Sequence, residues 1–332
     1  MTTAASPAPA HAGPSRPRIS PSLQGAAYGD RAFKFVLTAA ALLIPILLGF
    51  LVWELWQGSR LAIAKFGLDF VRTSVWDPVA DQFGAFPLIF GTLLSSFLAL
   101  LIAVPLSLGV AIYLTEFAPK FLRQPVAFVI GLLAAIPSVV YGLWGIFVLI
   151  PVLRKTAFPV LRDLLDFLPF FKGPIYGPSM LAASIILAIM VMPYVMSVSR
   201  EVLLAVPNSQ REAALALGAT RWEAVITAVV PYARSGIIGA VILGLGRALG
   251  ETMAVTMLIG NRHEIAASLF APGYTMAAAI ANEFSEAATA MHFSALAYVA
   301  FVLFVLTVVV NAGARLLIWQ VARGSAVGSK AL

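Results

Sequence analysis

The sequence predicts an all-α integral membrane protein with six transmembrane helices. Hydrophobic residues make up 61% of the 332 residues and charged residues only 11%, whereas about a quarter of the residues in a soluble domain are charged. Six apolar segments have the roughly 17 to 25 residues that a helix needs to cross the hydrocarbon of a bilayer. A polar loop at 198–235 carries residues that begin and end short helices outside the membrane.

Composition excludes several classes of function. The chain has no cysteine, which excludes disulfides, thiolate metal sites and cysteine nucleophiles. The histidines His11, His263 and His292 lack the spacing of metal ligands. The formal net charge is +7, but the basic residues are dispersed between apolar blocks, which indicates membrane topology rather than nucleic-acid binding. No Gly-x-x-x-x-Gly-Lys-Ser/Thr loop is present, so we expect no enzyme and no cofactor on this chain.

The distribution of apolar residues divides the chain into three regions. Residues 1–31 are rich in Ala, Pro, Ser and Gly and predict a disordered cytoplasmic tail. Residues 32–320 form the predicted membrane domain, and residues 321–332 form a cytoplasmic C-terminal tail. A cleaved signal peptide is not expected, because the first apolar block begins late and is too long. The predicted transmembrane helices are 33–56, 88–113, 126–150, 180–197, 236–260 and 295–318.

Basic residues predict the orientation. Six transmembrane helices place both termini on one side, where the tails and loops hold 13 Lys and Arg residues, while the opposite loops hold 8. Because Lys and Arg are retained in the cytoplasm, both termini are predicted to be cytoplasmic. The opposite loops have as many acidic as basic residues, 8 of each, so an approaching anion meets no net repulsion there.

The loop at 198–235 predicts a short helix followed by a tight turn. Pro207 ends the preceding transmembrane helix. Ser209, with Glu212 three residues later, is a capping box that begins the short helix. Gly218 follows an alanine-rich run and suits the left-handed position just beyond a helix end.

A second helix is predicted directly after this turn, because Thr220 and Glu223 form another capping box. The small alanine face of the first helix suits insertion into a groove, with Arg211 and Arg221 at the rim. A stiff loop that returns the chain to the membrane is the alternative, and these residues alone leave both interpretations open.

Two charged residues lie within the predicted fifth transmembrane helix. Arg247 and Glu251 each cost about 2.5–3.5 kcal/mol at the bilayer centre, so neither is expected to face lipid. Four residues apart, they share one helix face and can pair. The small residues Gly246, Gly250 and Ala254 predict close contact with another helix on the adjoining face.

Two interpretations of this pair remain open. In the first, Arg247 lies on a transport pathway and offers guanidinium donors to an oxyanion, while Glu251 competes for the guanidinium and prevents overly tight binding. In the second, the residues form a structural ion pair that joins two helices. Ionisable residues in transmembrane helices usually mark functional sites, which favours the first interpretation.

The polar loop resembles the EAA loop of ATP-binding-cassette (ABC) importer permeases, whose pattern is Glu-Ala-Ala, three residues, Gly, nine residues and Ile-x-Leu-Pro. The matching positions are Glu212, Ala213, Ala214, Gly218 and Pro231. Ala228 and Val230 replace the usual Ile and Leu, which is expected to alter packing rather than role. The resemblance implies a type I ABC importer permease (MetI-like) architecture. In that architecture the first four matching positions belong to a cytoplasmic coupling helix that inserts into a cleft of an ATPase subunit.

A closer likeness extends over residues 30–318. The segments EAALALGATRWEAV, GLGRALGETMAV and AAIPSVVYGLWGIFVL look like those of the PstC-type permease family of phosphate importers. This likeness implies import of inorganic phosphate across the bacterial cytoplasmic (inner) membrane. The implied partners are the lipid bilayer, a homologous second permease subunit (PstA-type), two ATPase subunits (PstB-type) that hold ATP and Mg, and an external phosphate-binding protein (PstS-type).

Three alternatives remain. The same architecture can carry another oxyanion, such as sulfate or molybdate. A gradient-driven secondary transporter or channel is disfavoured by the single intramembrane ion pair and by the lack of a clear inverted repeat. A non-transporting scaffold or signalling subunit would not need Arg247 and Glu251.

Overall fold

The computed structural model describes the backbone of residues 21–328 and the side chains of residues 30–316 and 319. The chain divides into two compact units, residues 1–54 and 55–332. The described part of the first unit is helical and belongs to α1 (Pro21–Gly58). The remaining helices and strands belong to the second unit.

Helices dominate the second unit. They are α2 (Arg60–Phe66), α3 (Phe86–Ile112), α4 (Lys120–Ala135), α5 (Ser138–Trp144), α6 (Ile150–Lys155), α7 (Ala157–Leu165), α8 (Met180–Leu204), α9 (Asn208–Ala216), α10 (Arg221–Ala224), α11 (Val230–Leu249), α12 (Met253–Ile259), α13 (Met276–Glu283) and α14 (Ala290–Gly328). The π-helical turns are Tyr113–Phe117, Gly145–Leu149 and Val225–Val229, and the 3-10 turns are Gly67–Val71 and Pro169–Phe171. A small antiparallel hairpin is formed by β1 (Trp76–Asp77) and β2 (Gln82–Phe83).

Six helical segments of the described chain are long and apolar enough to cross a membrane. In order, spans one to six are Asp30–Gly58, Phe86–Phe117, Ser138–Lys155, Met180–Leu204, Arg221–Leu249 and Ala290–Leu316. Their number and order confirm the predicted all-α membrane fold. Within the second unit, α9 and α10 lie at one end, which we call the loop end, and the β1–β2 hairpin and α13 lie at the other, which we call the far end.

The predicted third transmembrane helix, 126–150, is wrong as a continuous helix. The chain forms α4, breaks at Ile136 and Pro137, and resumes as α5. The residue before a proline is disfavoured in helical conformation, and the proline has no N–H to donate. The hydroxyl of Tyr141 donates to the carbonyl of Leu133 at 2.9 Å. This bond satisfies one carbonyl group near the break.

The predicted fifth transmembrane helix, 236–260, is also divided and begins earlier. Span five starts at Arg221 and α11 ends at Leu249. Gly250 then caps α11, and α12 starts only at Met253. Glycine commonly ends helices, so the break falls at a residue suited to it.

The predicted disorder of the N-terminal tail needs correction where the structure describes that tail. Helix α1 begins at Pro21, so residues 21–31 are helical rather than disordered. Helix α14 continues to Gly328, so the predicted C-terminal tail is helical over residues 321–328. The predicted tail residues 1–20 and 329–332 lie outside the described part of the chain.

Spans two, four and five pack together through small and β-branched side chains. The centre of this core contains Ala99, Ala103, Ile186, Val191 and Ala240, each at most 1% exposed. Between transmembrane helices, small side chains permit the close backbone approach that maximises van der Waals contact. The interior that surrounds the charged pair of span five is therefore tightly packed on one side.

Candidate functional site

The predicted pair of Arg247 and Glu251 is present. Nη2 of Arg247 lies 3.3 Å from Oε2 of Glu251. The side chain of Glu251 is 3% exposed, whereas that of Arg247 is 39% exposed. The carboxylate is thus enclosed by protein, while part of the guanidinium remains accessible. Since a guanidinium has five N–H donors, Arg247 retains donors for an oxyanion while it is paired.

The two residues do not share one continuous helix, contrary to the prediction. Arg247 lies in the last turn of α11, and Glu251 lies in the break before α12. A positive charge is favourable in the last turn of a helix because the carbonyl groups there carry partial negative charge. Because the break ends α11 here, the helix C-terminus stabilises the positive charge of Arg247.

The predicted helix contact through Gly246 and Gly250 is wrong. A Cβ added at Gly246 would meet nothing within 4 Å, and one at Gly250 would approach only a carbonyl of its own helix. Span five instead approaches span four at Gly244, where an added Cβ would lie 2.6 Å from a methyl group of Val195. Because α11 ends before Gly250, the predicted stripe with Ala254 does not lie on one helix face.

Tyr194, which no sequence pattern singled out, connects the pair to the break between α4 and α5. Its ring centroid lies 5.6 Å from Cζ of Arg247, within the range of a cation–π contact. Its hydroxyl donates to the carbonyl of Ala134 at 3.1 Å, beside the end of α4. The pair and both helix breaks thus meet in one part of the interior, a proximity that no local sequence pattern indicates.

The predicted short helix and turn of the polar loop are confirmed. Gly218 follows α9 with φ of +89°. The amide of Gly218 donates to the carbonyl of Leu215 at 3.0 Å, and the amide of Ala219 donates to that of Ala214 at 3.2 Å. These two bonds form a Schellman motif, which requires a left-handed residue at the position of Gly218.

One of the two predicted capping boxes is confirmed and the other is wrong. The amide of Glu223 donates to Oγ1 of Thr220 at 3.3 Å, and the amide of Thr220 donates to Oε2 of Glu223 at 2.7 Å. The box of Ser209 and Glu212 does not form, because α9 begins one residue earlier with Pro207 as its N-cap. Ser209 therefore lies inside the first turn.

Much of this helix–turn–helix is accessible to a partner. Glu212, Ala213 and Gly218 are exposed, and Ala214 is half-buried. Leu217, which immediately precedes the turn, is 90% exposed.

Arg211 attaches this motif to the spans, a role that the sequence did not indicate. Its guanidinium donates to the carboxylate of Glu116, with a shortest distance of 2.8 Å. It also donates to the carbonyls of Leu203 at 3.0 Å and Val206 at 2.6 Å. Arg211 was expected at the rim of the motif but lies at its base.

The structure keeps the two predicted sites apart. Span five runs from Arg221, beside the turn at Gly218, to the end of α11, where Arg247 lies. At 1.5 Å per residue this distance is about 40 Å. A functional connection between the sites therefore has to pass through the spans.

A cavity of about 590 Å³ opens at the far end. Nε1 of Trp76 donates to Oε2 of Glu283 at 2.7 Å, and Nε2 of His292 lies 3.3 Å from the same oxygen. His263 stacks on Trp76 with ring centroids 5.1 Å apart, and burial lowers the pKa of His263 to about 4. Among the described residues, no group of three or more His, Cys, Asp or Glu is arranged to hold a metal ion.

These features define the class of protein. Six apolar helices, two broken helices beside an interior charged pair, and an accessible helix–turn–helix at one end are characteristic of a membrane transport subunit. A family model described as "Binding-protein-dependent transport system inner membrane component" matches residues 103–319. The chain belongs to this family of ABC importer permeases and is a multi-pass membrane protein, as predicted.

Three curated relatives carry the description "Phosphate transport system permease protein PstC". The relative from Mesorhizobium japonicum is 45% identical over 88% of this chain and 90% of its own length. That from Xylella fastidiosa is 46% identical over 90% and 93%, and that from Haemophilus influenzae is 47% identical over 87% and 93%. Among solved structures, a chain of the inward-facing MetNI methionine ABC transporter is 20% identical, with a TM-score of 0.48 and coverage of 72% of this chain and 94% of that chain.

Proposed function

We propose that this chain is the permease subunit of an ATP-driven importer that carries inorganic phosphate across the bacterial cytoplasmic membrane. The observation that supports phosphate as the transported ion is the 45–47% identity, over most of the chain, to permeases of phosphate transport systems. The partly exposed guanidinium of Arg247 gives this cargo a chemical partner inside the protein.

Arg247 and Glu251 are the proposed pathway residues. Two oxygens of a phosphate match two parallel N–H groups of a guanidinium, so Arg247 suits an oxyanion better than a lysine would. The contact with Glu251 is 3.3 Å, longer than the roughly 2.7–2.9 Å of a strong charge-assisted bond. Glu251 therefore restrains the guanidinium without fully occupying it. Competition from this carboxylate weakens the hold on phosphate and allows the anion to leave.

The proposed site of ATPase coupling is α9 with its turn at Gly218. The chain has no phosphate-binding loop of its own, so ATP and Mg are proposed to bind to separate ATPase subunits. The accessible face of Glu212, Ala213 and Leu217 is proposed to enter a cleft of such a subunit. The Schellman turn fixes the end of α9 and therefore the direction in which Leu217 projects.

The proposed orientation places the loop end in the cytoplasm and the far end outside. The excess of Lys and Arg on the side of the termini, 13 against 8, supports this orientation. It lets α9 meet cytoplasmic ATPase subunits and turns the far end toward an external phosphate-binding protein. A homologous second permease subunit is proposed to complete the pathway beside the exposed part of Arg247.

Radiolabelled phosphate uptake tests this proposal. Proteoliposomes hold this chain, the three proposed protein partners and trapped ATP, and wild type is compared with Arg247→Ala. Arg162→Ala is the matched control, because Arg162 is exposed and pairs with its neighbour Asp163. We expect ATP-dependent uptake in wild type and control and its loss in Arg247→Ala. Uptake of sulfate or molybdate but not phosphate by wild type would contradict the cargo, and full uptake by Arg247→Ala would contradict the pathway assignment.

A further inference from the structure

We propose that Arg211 and Glu116 form a joint that transmits movement of α9 to spans two and four. This inference rests on the proposed function, in which α9 contacts an ATPase subunit. Both residues are positioning residues, since neither is placed on the phosphate pathway.

The contacts of Arg211 occupy its whole guanidinium. Nε donates to both carboxylate oxygens of Glu116 at 3.2 Å, and Nη2 donates to one of them at 2.8 Å. Nη2 also donates to the carbonyl of Leu203, while Nη1 donates to the carbonyl of Val206 and to Oδ1 of Asn208. The side chains of Arg211 and Glu116 are only 20% and 12% exposed. Bidentate geometry and partial burial make this pair stronger than a surface ion pair.

The partners of Arg211 belong to different parts of the fold. Glu116 lies in the π-helical turn that ends span two. Leu203 lies in the last turn of α8, which forms span four, where a positive charge is favourable beside the helix C-terminus. One side chain of α9 thus binds the loop ends of two spans that pack together in the core.

Helix α9 also contacts the start of span five, at α10 and Val225–Val229, but it buries none of its own residues there. A short helix is usually stabilised by packing of an apolar face. Since α9 lacks a buried apolar face, the polar joint at Arg211 is the side-chain attachment that ties it to spans two and four.

Span four extends from this joint to the charged pair of span five. Tyr194 lies nine residues before Leu203 on α8, which is about 14 Å along the helix axis. The Tyr194 ring contacts Arg247 at 5.6 Å. A displacement of α9 that moves the end of span four therefore reaches the proposed pathway through one helix.

The joint is tested by the amount of phosphate transported per ATP hydrolysed. Arg211→Lys keeps the positive charge but cannot form the bidentate contact. Arg200→Lys is the matched control, because Arg200 also lies near the end of span four but pairs with the exposed carboxylate of Glu201. In the reconstituted complex, we expect Arg211→Lys to retain ATP hydrolysis. The ratio of phosphate transported to ATP hydrolysed should fall about 5-fold or more, since about 5-fold is the low end of the effects that one coupled site has on another. An unchanged ratio in Arg211→Lys would overturn the proposal.

Glu116→Gln tests the joint from the other side and preserves the side-chain shape. We expect the same loss of ratio, and a wild-type ratio in this variant would also overturn the proposal. If Arg211→Lys fails to assemble with the ATPase subunits, Glu116→Gln decides the question.

A distance measurement tests the joint independently of the cargo. The chain has no cysteine, so spin labels can be attached at Ser209→Cys and Lys120→Cys, both exposed and on opposite sides of the joint. We expect ATP to leave the label distance unchanged in an otherwise wild-type complex and to alter it when Arg211→Lys is added. An equal ATP-dependent change in both would refute a rigid joint. Failure of wild type to transport phosphate would contradict the proposed function, while this distance would still decide the joint.

Discussion

Removal of the Arg247 side chain separates a pathway role from a purely structural role of the ion pair. Arg247→Ala leaves the carboxylate of Glu251, only 3% exposed, without its cation. Removing one partner of a fully buried pair costs about 3–5 kcal/mol. Because Arg247 is 39% exposed, water already screens this pair, and we expect a smaller loss of about 1–3 kcal/mol. At roughly 2–4 °C per kcal/mol, the melting temperature should fall by about 2–12 °C.

The double variant Arg247→Ala/Glu251→Gln supplies the comparison. Glutamine has nearly the shape of glutamate but no charge, so the buried unpaired charge disappears and most of the lost stability should return. Uptake should stay absent, since the guanidinium that binds phosphate is still missing. A structural role alone predicts that uptake returns together with stability.

The assay measures thermal unfolding of the detergent-solubilised complex and, in parallel, phosphate uptake by proteoliposomes. Wild type, the single variants Arg247→Ala and Glu251→Gln, the double variant and the control Arg162→Ala are compared. Equal melting temperatures for wild type and Arg247→Ala would refute the argument from the buried carboxylate. Recovery of uptake in the double variant would refute the pathway role.

Two further predictions concern the ends of the protein. At the loop end, Gly218→Val places a β-branched residue at φ of +89°, a strain of about 1–2 kcal/mol, and should reduce co-purification of the ATPase subunits. Gly218→Asn, which tolerates the left-handed region, should retain them, and equal attachment of both variants would contradict this reasoning. At the far end, burial lowers the pKa of His263 to about 4. The unfolded chain therefore binds a proton more readily between pH 6.5 and 4, and stability should decrease as the pH falls through that range. The melting temperature of His263→Gln should change less between pH 7 and pH 5 than those of wild type and His292→Gln, and equal changes would exclude His263 as the source.

The spans and the turn at Gly218 could be predicted because their sequence signals are local. Apolar length defines a transmembrane helix, and Gly218 and Thr220 end and begin helices through bonds to residues within five positions. The box at Ser209 was wrong although its pattern was correct, because Pro207, two residues earlier, is already the N-cap of α9. Two local signals competed there, and residue spacing alone does not rank them.

The helix breaks were missed because apolar length outweighed the local signals: hydropathy continues across Ile136, Pro137 and Gly250. The joint could not be predicted because it depends on distant partners. Arg211 and Glu116 are 95 residues apart in the chain, and neither stands out among the charged residues of the loops. The charged pair was found from its position in an apolar segment and its spacing of four residues, but its geometry follows from a break that Gly250 signals only weakly.

The position of the two breaks supports the interior around Arg247 as the transport pathway. The breaks lie at residues 136–137 and 250–252, directly beside the ends of spans three and five. Irregular backbone next to lipid leaves polar groups that lipid cannot satisfy, so it is tolerated only where protein or a water-filled cavity covers it. Here Tyr194 links the two breaks, because its hydroxyl binds the carbonyl of Ala134 and its ring contacts Arg247. A purely structural ion pair needs neither broken helix. A route for an anion does need polar groups inside the protein, and the partly exposed guanidinium of Arg247 supplies them beside backbone that is already interrupted.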